Sequence, residues 1–208
     1  PLTSQVNFPT DLFISEVTDA HTSPSRALTY IEIYNGTGAA VNLGNYKLRI
    51  YNGGGYPTAS PTFETALSGT LNNDDVVIVK IGNGADLGGV VPDLSYVGFD
   101  INNNDNIRLT DLSNNDIDVW GYTIFPPALP YGLGYNYRRI ASGTVLPSTT
   151  WDPADWDATD WNTTFSDYSN VGVYSLYSAD YDFELASHSL GGSIALYIND
   201  INNKIKLN

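Results

Sequence analysis

Residues 30–48 read YIEIYNGTGAAVNLGNYKL and contain two runs of strand-forming residues joined by turn residues. The first run alternates apolar with polar residues, which is typical of a strand, and Asn35-Gly36 ends that strand with residues that favour turns. A second run of β-forming residues begins at Tyr46 and follows a connection rich in Gly and Asn. Two such runs joined by turn residues predict an antiparallel, all-β architecture.

Similar short runs recur along most of the chain, and no window predicts a long amphipathic helix. We expect strands at 12–17, 29–34, 46–51, 63–67, 75–80, 96–99, 107–110, 117–120 and 135–140. Alternation returns near the end of the chain, at 193–198 and 204–207. The sequence therefore predicts one enlarged β-sandwich over residues 1–173 and a C-terminal β extension over residues 174–208.

The composition and net charge of the chain argue against some classes of function. The chain has 208 residues, 42% of them hydrophobic, and its net charge is -14 because nine basic residues stand against 23 acidic ones. A nucleic-acid partner needs clustered Lys and Arg, so this charge argues against one. No apolar run approaches the ~18 residues that suggest a membrane span.

Cysteine and methionine are both absent. Without cysteine there are no disulfides, thiolate zinc sites or thiol catalysis. The chain begins at Pro1 and not at Met, from which we expect a processed, secreted protein that works outside the cell or on its surface.

Four segments in order carry a family resemblance. They are 12–42 (LFISEVTDAHTSPSRALTYIEIYNGTGAAVN), 67–80 (LSGTLNNDDVVIVK), 105–120 (DNIRLTDLSNNDIDVW, followed by Gly121) and 137–173, which contains YRRI and WDPADW. Together they resemble the lamin-tail domain, in the form found in secreted bacterial proteins. The resemblance implies an immunoglobulin-like β-sandwich and, in bacteria, an extracellular accessory module. In animals the related domain binds partners in nuclear filaments.

Few residues are candidates for catalysis. His21 and His188 are the only histidines, and neither lies in a nucleophile-elbow sequence. Glu16 and Glu32 stand on predicted strands, where paired carboxylates could serve a glycosidase. The alternative, which we favour, is that both glutamates hydrogen-bond loop backbone or pair with an arginine, Arg49 or Arg139. The sequence thus predicts no catalytic residues, no bound cofactor and no enzyme.

One loop is a candidate calcium site. Asp100, Asn102 and Asn104 have the one-three-five spacing of oxygen ligands, and Asp105 follows them. The glycine and the distal glutamate of an EF-hand loop are absent. The alternative is a turn rich in Asn and Asp that needs no ion, and the sequence favours that alternative.

Three tryptophans, Trp151, Trp156 and Trp161, recur every five residues, a spacing that suits neither a helix face nor a strand face. We interpret them as large side chains that close the end of the sandwich. Around them the sequence predicts at most one short helical turn. If they were exposed instead, they could stack on sugars, and the protein would be a carbohydrate-binding or ligand-binding accessory domain.

The leading hypothesis is a structural or assembly protein, such as a surface filament or adhesion subunit. Its partner would be a second copy or another surface protein, joined by addition of a C-terminal strand to a sheet. Such a strand would insert the apolar side chains of Ile194, Leu196, Ile198, Ile205 and Leu207.

Overall fold

A computed structural model describes residues 8–18, 28–54, 60–98, 101, 105–121, 134–141, 145–161 and 167–176. The chain divides into two compact units, Pro1–Tyr177 and Ser178–Asn208. The second unit lies outside the described residues, and with it the predicted C-terminal strands.

The described residues form strands and short 3-10 turns, with no α-helix among them. The strands are β1 (Phe13–Thr18), β2 (Leu28–Asn35), β3 (Val41–Asn42), β4 (Tyr46–Tyr51), β5 (Phe63–Ala66), β6 (Thr70–Leu71), β7 (Asp75–Gly82), β8 (Leu94–Tyr96), β9 (Asn106–Asp111), β10 (Asp116–Trp120), β11 (Tyr135–Arg139) and β12 (Trp156–Asp160).

These strands build two main sheets. The larger has the order β12-β11-β1-β2-β7-β8 and the smaller the order β10-β9-β4-β5, while β3 pairs with β6 alone. Neighbours are antiparallel except β7 and β8, which are parallel. The predicted all-β, immunoglobulin-like sandwich is confirmed.

The main hydrophobic core lies between the two sheets. Ile31 and Ile33 of β2 meet Leu48 and Ile50 of β4 in one buried cluster. Because side chains alternate along a strand, one face of each sheet supplies this core. The two sheets therefore bury their apolar faces against each other.

Strand β2 is buried on both faces, and all eight of its residues are buried. Tyr30, Glu32 and Tyr34 alternate with the core residues, so they lie on the outer face of the six-stranded sheet. Residues 167–176, which we call the strap, cover this outer face: Tyr168 packs with Tyr30, and Tyr174 packs with Tyr34.

The region around the three tryptophans differs from the prediction. Pro153–Asp155 does form the single expected helical turn, capped by the Asp152 side chain. Residues Trp156–Asp160 then form a strand, β12, that the sequence reading missed. Pairing with β11 holds β12 in an extended conformation. The spacing of the tryptophans does not predict that conformation.

Candidate functional site

A cluster of polar side chains lies on the outer face, beneath the strap. Glu16 of β1 and Glu32 of β2 are register partners. Arg138 forms an ion pair with Glu16, and the Asn136 amide donates to Glu16 Oε1 at 2.8 Å. The Ser15 hydroxyl donates to Glu32 Oε1 at 2.7 Å. Arg138 is thus the ion-pair partner of Glu16, and its charge also lowers the pKa of Glu32.

The strap completes this cluster with its backbone. The Gly172 N–H donates to Glu32 Oε2 at 2.5 Å. Arg138 Nη1 donates to the Asn170 carbonyl oxygen at 2.6 Å. The Arg138 guanidinium also lies 5.4 Å from the centre of the Tyr174 ring. The strap is therefore attached to the sheet through ionisable side chains.

Burial sets the protonation of both glutamates. It raises the pKa of Glu32 to about 7, and the neighbouring Glu16 carboxylate raises it too, while the donors Ser15 and Gly172 oppose the rise. Burial also raises the pKa of Glu16, against the opposing effects of Asn136 and Arg138. Glu32 therefore loses its proton closer to neutral pH than an exposed glutamate does.

An acid–base pair must touch a substrate, and these glutamates are covered by protein. Glu16 is 1% exposed and Glu32 0%. Their oxygens are occupied by donors of the chain itself. A catalytic group is recognised first by its geometry and then by its pKa. Here the geometry of the two glutamates holds the strap on the sheet.

The expected arginine partners of the glutamates were wrong. Arg49 pairs with Glu64 at 2.7 Å on the four-stranded sheet, and Arg139 pairs with a different carboxylate. It is Arg138 that reaches Glu16, because the two residues are opposite each other in the register of β1 and β11. Register between distant strands is set by tertiary structure, which the local pattern does not reveal.

A second ion pair, fully buried, joins the two sheets. Arg139 Nη2 lies 3.0 Å from Asp118 Oδ2. The same oxygen accepts the Ile14 N–H from β1 at 2.8 Å, and Asp118 Oδ1 accepts the Ser148 N–H at 2.7 Å. Burial raises the pKa of Asp118 to about 6, with Arg139 opposing the rise. Asp118 therefore links β10, β1 and the loop before β12.

The tryptophans pack inward. Trp156 belongs to the main core, with Trp151 packed against it, and the two ring centroids are 5.2 Å apart. Trp161 is buried as well, and its ring packs at a tilt against Tyr168 of the strap, with ring centroids 4.7 Å apart. Buried rings that pack on the protein itself do not form a sugar-stacking platform, so the described geometry gives no support to the carbohydrate-binding alternative.

Within the candidate calcium loop the structure describes Ile101 and Asp105. Asp100, Asn102 and Asn104 lie outside the described residues, whereas Asp105 is buried and its Oδ1 accepts the Gly53 N–H at 2.9 Å. Within the part of the chain that the structure describes, no group of three or more His, Asp or Glu side chains could hold a metal. The calcium site stays a prediction.

The remaining predicted site residues fall outside the described ranges. They are His21, His188 and the proposed interface residues Ile194, Leu196, Ile198, Ile205 and Leu207. Among the described residues, no helix has the length and apolar character to cross a membrane.

Comparison with known proteins agrees with the architecture. The lamin tail domain family matches residues 6–123, which is more than half of the chain. The match covers β1 to β10, and so both glutamates and Asp118. No curated protein matches the sequence. On the strength of the family match and the β-sandwich, the chain belongs to the lamin tail domain family.

Proposed function

We propose that this protein is a non-enzymatic structural module on the outside of a bacterial cell, and that it assembles by β-strand addition. The lamin tail domain is a non-enzymatic, immunoglobulin-like family. The observation that carries the proposal is that three buried carboxyl groups, those of Glu16, Glu32 and Asp118, are each engaged by donors of the chain itself.

Such engagement separates a structural role from a catalytic one. Perturbed carboxylates often mark active sites, but structural ion-pair networks perturb pKa values equally. Here each perturbed carboxylate ties together parts of the fold that are distant in sequence. Asp118 joins two sheets through Ile14, and Glu32 attaches the strap through Gly172. Contacts of this kind support a structural role for these carboxylates.

Assembly by strand addition needs a sheet edge, and one side of the sandwich is closed. There the edge strands β5 and β8 are joined by side chains. The Tyr96 hydroxyl donates to the Ala66 carbonyl oxygen at 3.0 Å, and the Tyr96 and Phe63 rings are 6.1 Å apart. A new strand would have to break these contacts to enter.

The opposite side ends in β12, the outermost strand of the six-stranded sheet. The Ile140 N–H donates to the Asp155 oxygen at 2.9 Å and the Trp161 N–H to the Gly134 oxygen at 2.8 Å. Hydrogen-bonded pairs alternate in an antiparallel ladder, so the N–H and C=O of Ala158 point away from β11. Among the described residues no strand lies beyond β12, and this supports the proposal that a further strand is added at this edge.

The last strand predicted from the sequence, residues 204–207, suits this edge. Alternation places Lys204 and Lys206 on one side and Ile205 and Leu207 on the other. On β12, Asp157 is exposed, while Trp156 and Ala158 face the core. Lysines beside the aspartate and apolar side chains beside the core would make a matched pairing. If the receiving strand belongs to the next copy, the contact is head-to-tail and gives an open polymer.

Two variants of the full chain test the edge. Ala158→Pro removes the outward N–H, whereas the matched control Ala158→Val keeps it and suits a strand. We expect the proline variant to stay monomeric and the valine variant to assemble, as measured by light scattering and electron microscopy.

A third variant tests the donor segment. Deleting residues 193–208 should abolish assembly while leaving circular dichroism of the sandwich unchanged. Filaments formed by the deletion variant, or by Ala158→Pro in a folded state, would sink the proposal of strand addition.

A further inference from the structure

Contacts along the length of the strap attach it to the outer face. The Tyr168 ring packs against the Trp161 ring, with ring centroids 4.7 Å apart. In the middle, Gly172 donates to Glu32. Near the end, the Ser175 hydroxyl donates to Asp74 Oδ1 at 2.7 Å. Only the middle attachment is made to a fully buried carboxylate.

The backbone at Gly172 is shaped for this contact. Gly172 has φ +92°, a conformation that a glycine adopts without strain, and a Cβ there would lie 3.2 Å from Ile78 Cδ1. The strap therefore runs close to the sheet, so that docking excludes water from Glu32. A strap that moved away would return water to this carboxylate.

We propose that the strap is a pH-dependent clasp, which stays docked on the outer face when Glu32 is protonated and loosens when Glu32 is ionised. The inference does not depend on the assembly proposed above. It concerns one equilibrium within a single chain, between a docked and an undocked strap.

The charged groups that face Glu32 explain why its ionisation would loosen the strap. Glu16 is adjacent on β1, and Arg138 on β11 is already paired with it. From the strap itself, Gly172 offers only a backbone N–H, and Tyr174 contributes an aromatic ring beside Arg138. Ionised Glu32 thus places a second negative charge under the strap with one cation for two carboxylates. Protonated Glu32 removes that charge and still offers an oxygen to Gly172.

Linkage gives the size of the effect. The pKa of Glu32 is about 7 with the strap docked, and its usual value in water is 4.5. A proton bound more tightly by the docked form favours docking at low pH, and the advantage is lost as pH rises through the docked pKa. Glu16 stays beside Glu32 when the strap is undocked, and the Gly172 donor opposes the rise in pKa, so docking supplies only part of the shift. The whole shift would weaken the docking equilibrium by about 300-fold between acid and alkaline pH, which is therefore the upper limit of the effect.

Amide hydrogen exchange by NMR on the full chain tests the clasp. Rates of Gly172 are corrected for intrinsic exchange and compared with amides of β9 in the other sheet. We expect Gly172 protection, relative to β9, to fall by at least about tenfold from about pH 5.5 to about pH 8.5. In Glu32→Gln the fall should vanish, and in the control Glu64→Gln, an exposed glutamate, it should remain.

The carboxyl ¹³C shift of Glu32 supplies a second measurement in the wild-type chain, which serves even if Glu32→Gln does not fold. The midpoint of the Glu32 titration should coincide with the midpoint of the change in Gly172 protection. Constant Gly172 protection, separate midpoints, or an unchanged slope in a folded Glu32→Gln variant would overturn the clasp.

Discussion

Gly121 explains one element of the family pattern, the glycine that follows IDVW. It has φ +87°, and a Cβ there would lie 2.4 Å from the carbonyl oxygen of Asp105. Backbone atoms cannot yield as the end of a flexible side chain can. A glycine is therefore required where β10 ends beside the start of β9.

Substituting this glycine should be costly. We expect Gly121→Ala to lower the free energy of unfolding by more than about 3 kcal/mol, because it combines backbone strain with a steric clash. Gly69→Ala is the matched control: its φ is also positive, at +100°, and no atom lies within 4 Å of the added carbon. Urea titration of both variants measures the difference, and equal losses would contradict the role of the close approach.

The buried Asp118–Arg139 ion pair should contribute measurably to the free energy of unfolding. Asp118→Asn leaves the Arg139 cation buried without its carboxylate, so we expect a loss of about 3–5 kcal/mol in the free energy of unfolding at neutral pH. The control Glu64→Gln disrupts the partly exposed pair with Arg49 and should cost less than about 1 kcal/mol. Chemical denaturation of the two variants checks the contrast, and a neutral Asp118→Asn would show that the pair contributes little.

Strand β12 depends on contacts that its side chains make with the rest of the fold. Its inward residues, Trp156 and Ala158, pack on the main core, while Asp157 and Thr159 are exposed. The Arg139 guanidinium lies 4.8 Å from the centre of the Trp156 ring. One aromatic side chain thus anchors an edge strand of five residues.

Truncating this anchor should destabilise the whole sandwich. We expect Trp156→Ala to cost about 3–5 kcal/mol, through lost burial and a residual cavity. Thr159→Ala, on the exposed side of the same strand, should stay within about 0.5 kcal/mol. Thermal unfolding followed by circular dichroism distinguishes them. A fully stable Trp156→Ala variant would show that the ring is not part of the core.

Most strands could be predicted from sequence because their apolar residues alternate or cluster within six positions. The runs around Ile31, Leu48 and Val79 are of this kind. β12 could not, since WDATD carries only one large apolar residue and its pairing partner lies elsewhere in the chain. The prediction of loop or arginine partners for Glu32 and Glu16 was right in kind. The sequence could not identify Arg138 and Gly172 as the partners of the two glutamates, because those contacts depend on the pairing of distant parts of the chain.

At the scale of the whole molecule, buried carboxyl groups make stability depend on pH. The pKa values of Glu32 and Asp118 are raised to about 7 and about 6. The folded protein therefore binds more protons than the unfolded chain between about pH 4 and about pH 7. Stability falls as pH rises through this window. The net charge of -14 acts in the same direction, because self-repulsion grows as carboxyl groups ionise.

Unfolding experiments at two pH values check this linkage. We expect the free energy of unfolding to be higher near pH 5 than near pH 8, and Glu32 alone to contribute on the order of 3 kcal/mol. Glu32→Gln should remove that share of the pH dependence and keep the share due to Asp118. If the wild-type protein were more stable near pH 8, the carboxyl groups would not be buried as described.

Strand β1 lies between β2 and β11 in the sheet, and Arg138, its contact on β11, comes 122 residues after Glu16. During synthesis, β1 and β2 emerge early, yet the opposite flank of β1 must wait until most of the unit has left the ribosome. Long-range pairing of this kind slows folding. Until β11 is made, that flank of β1 is an unpaired strand edge, which favours aggregation of the incomplete chain.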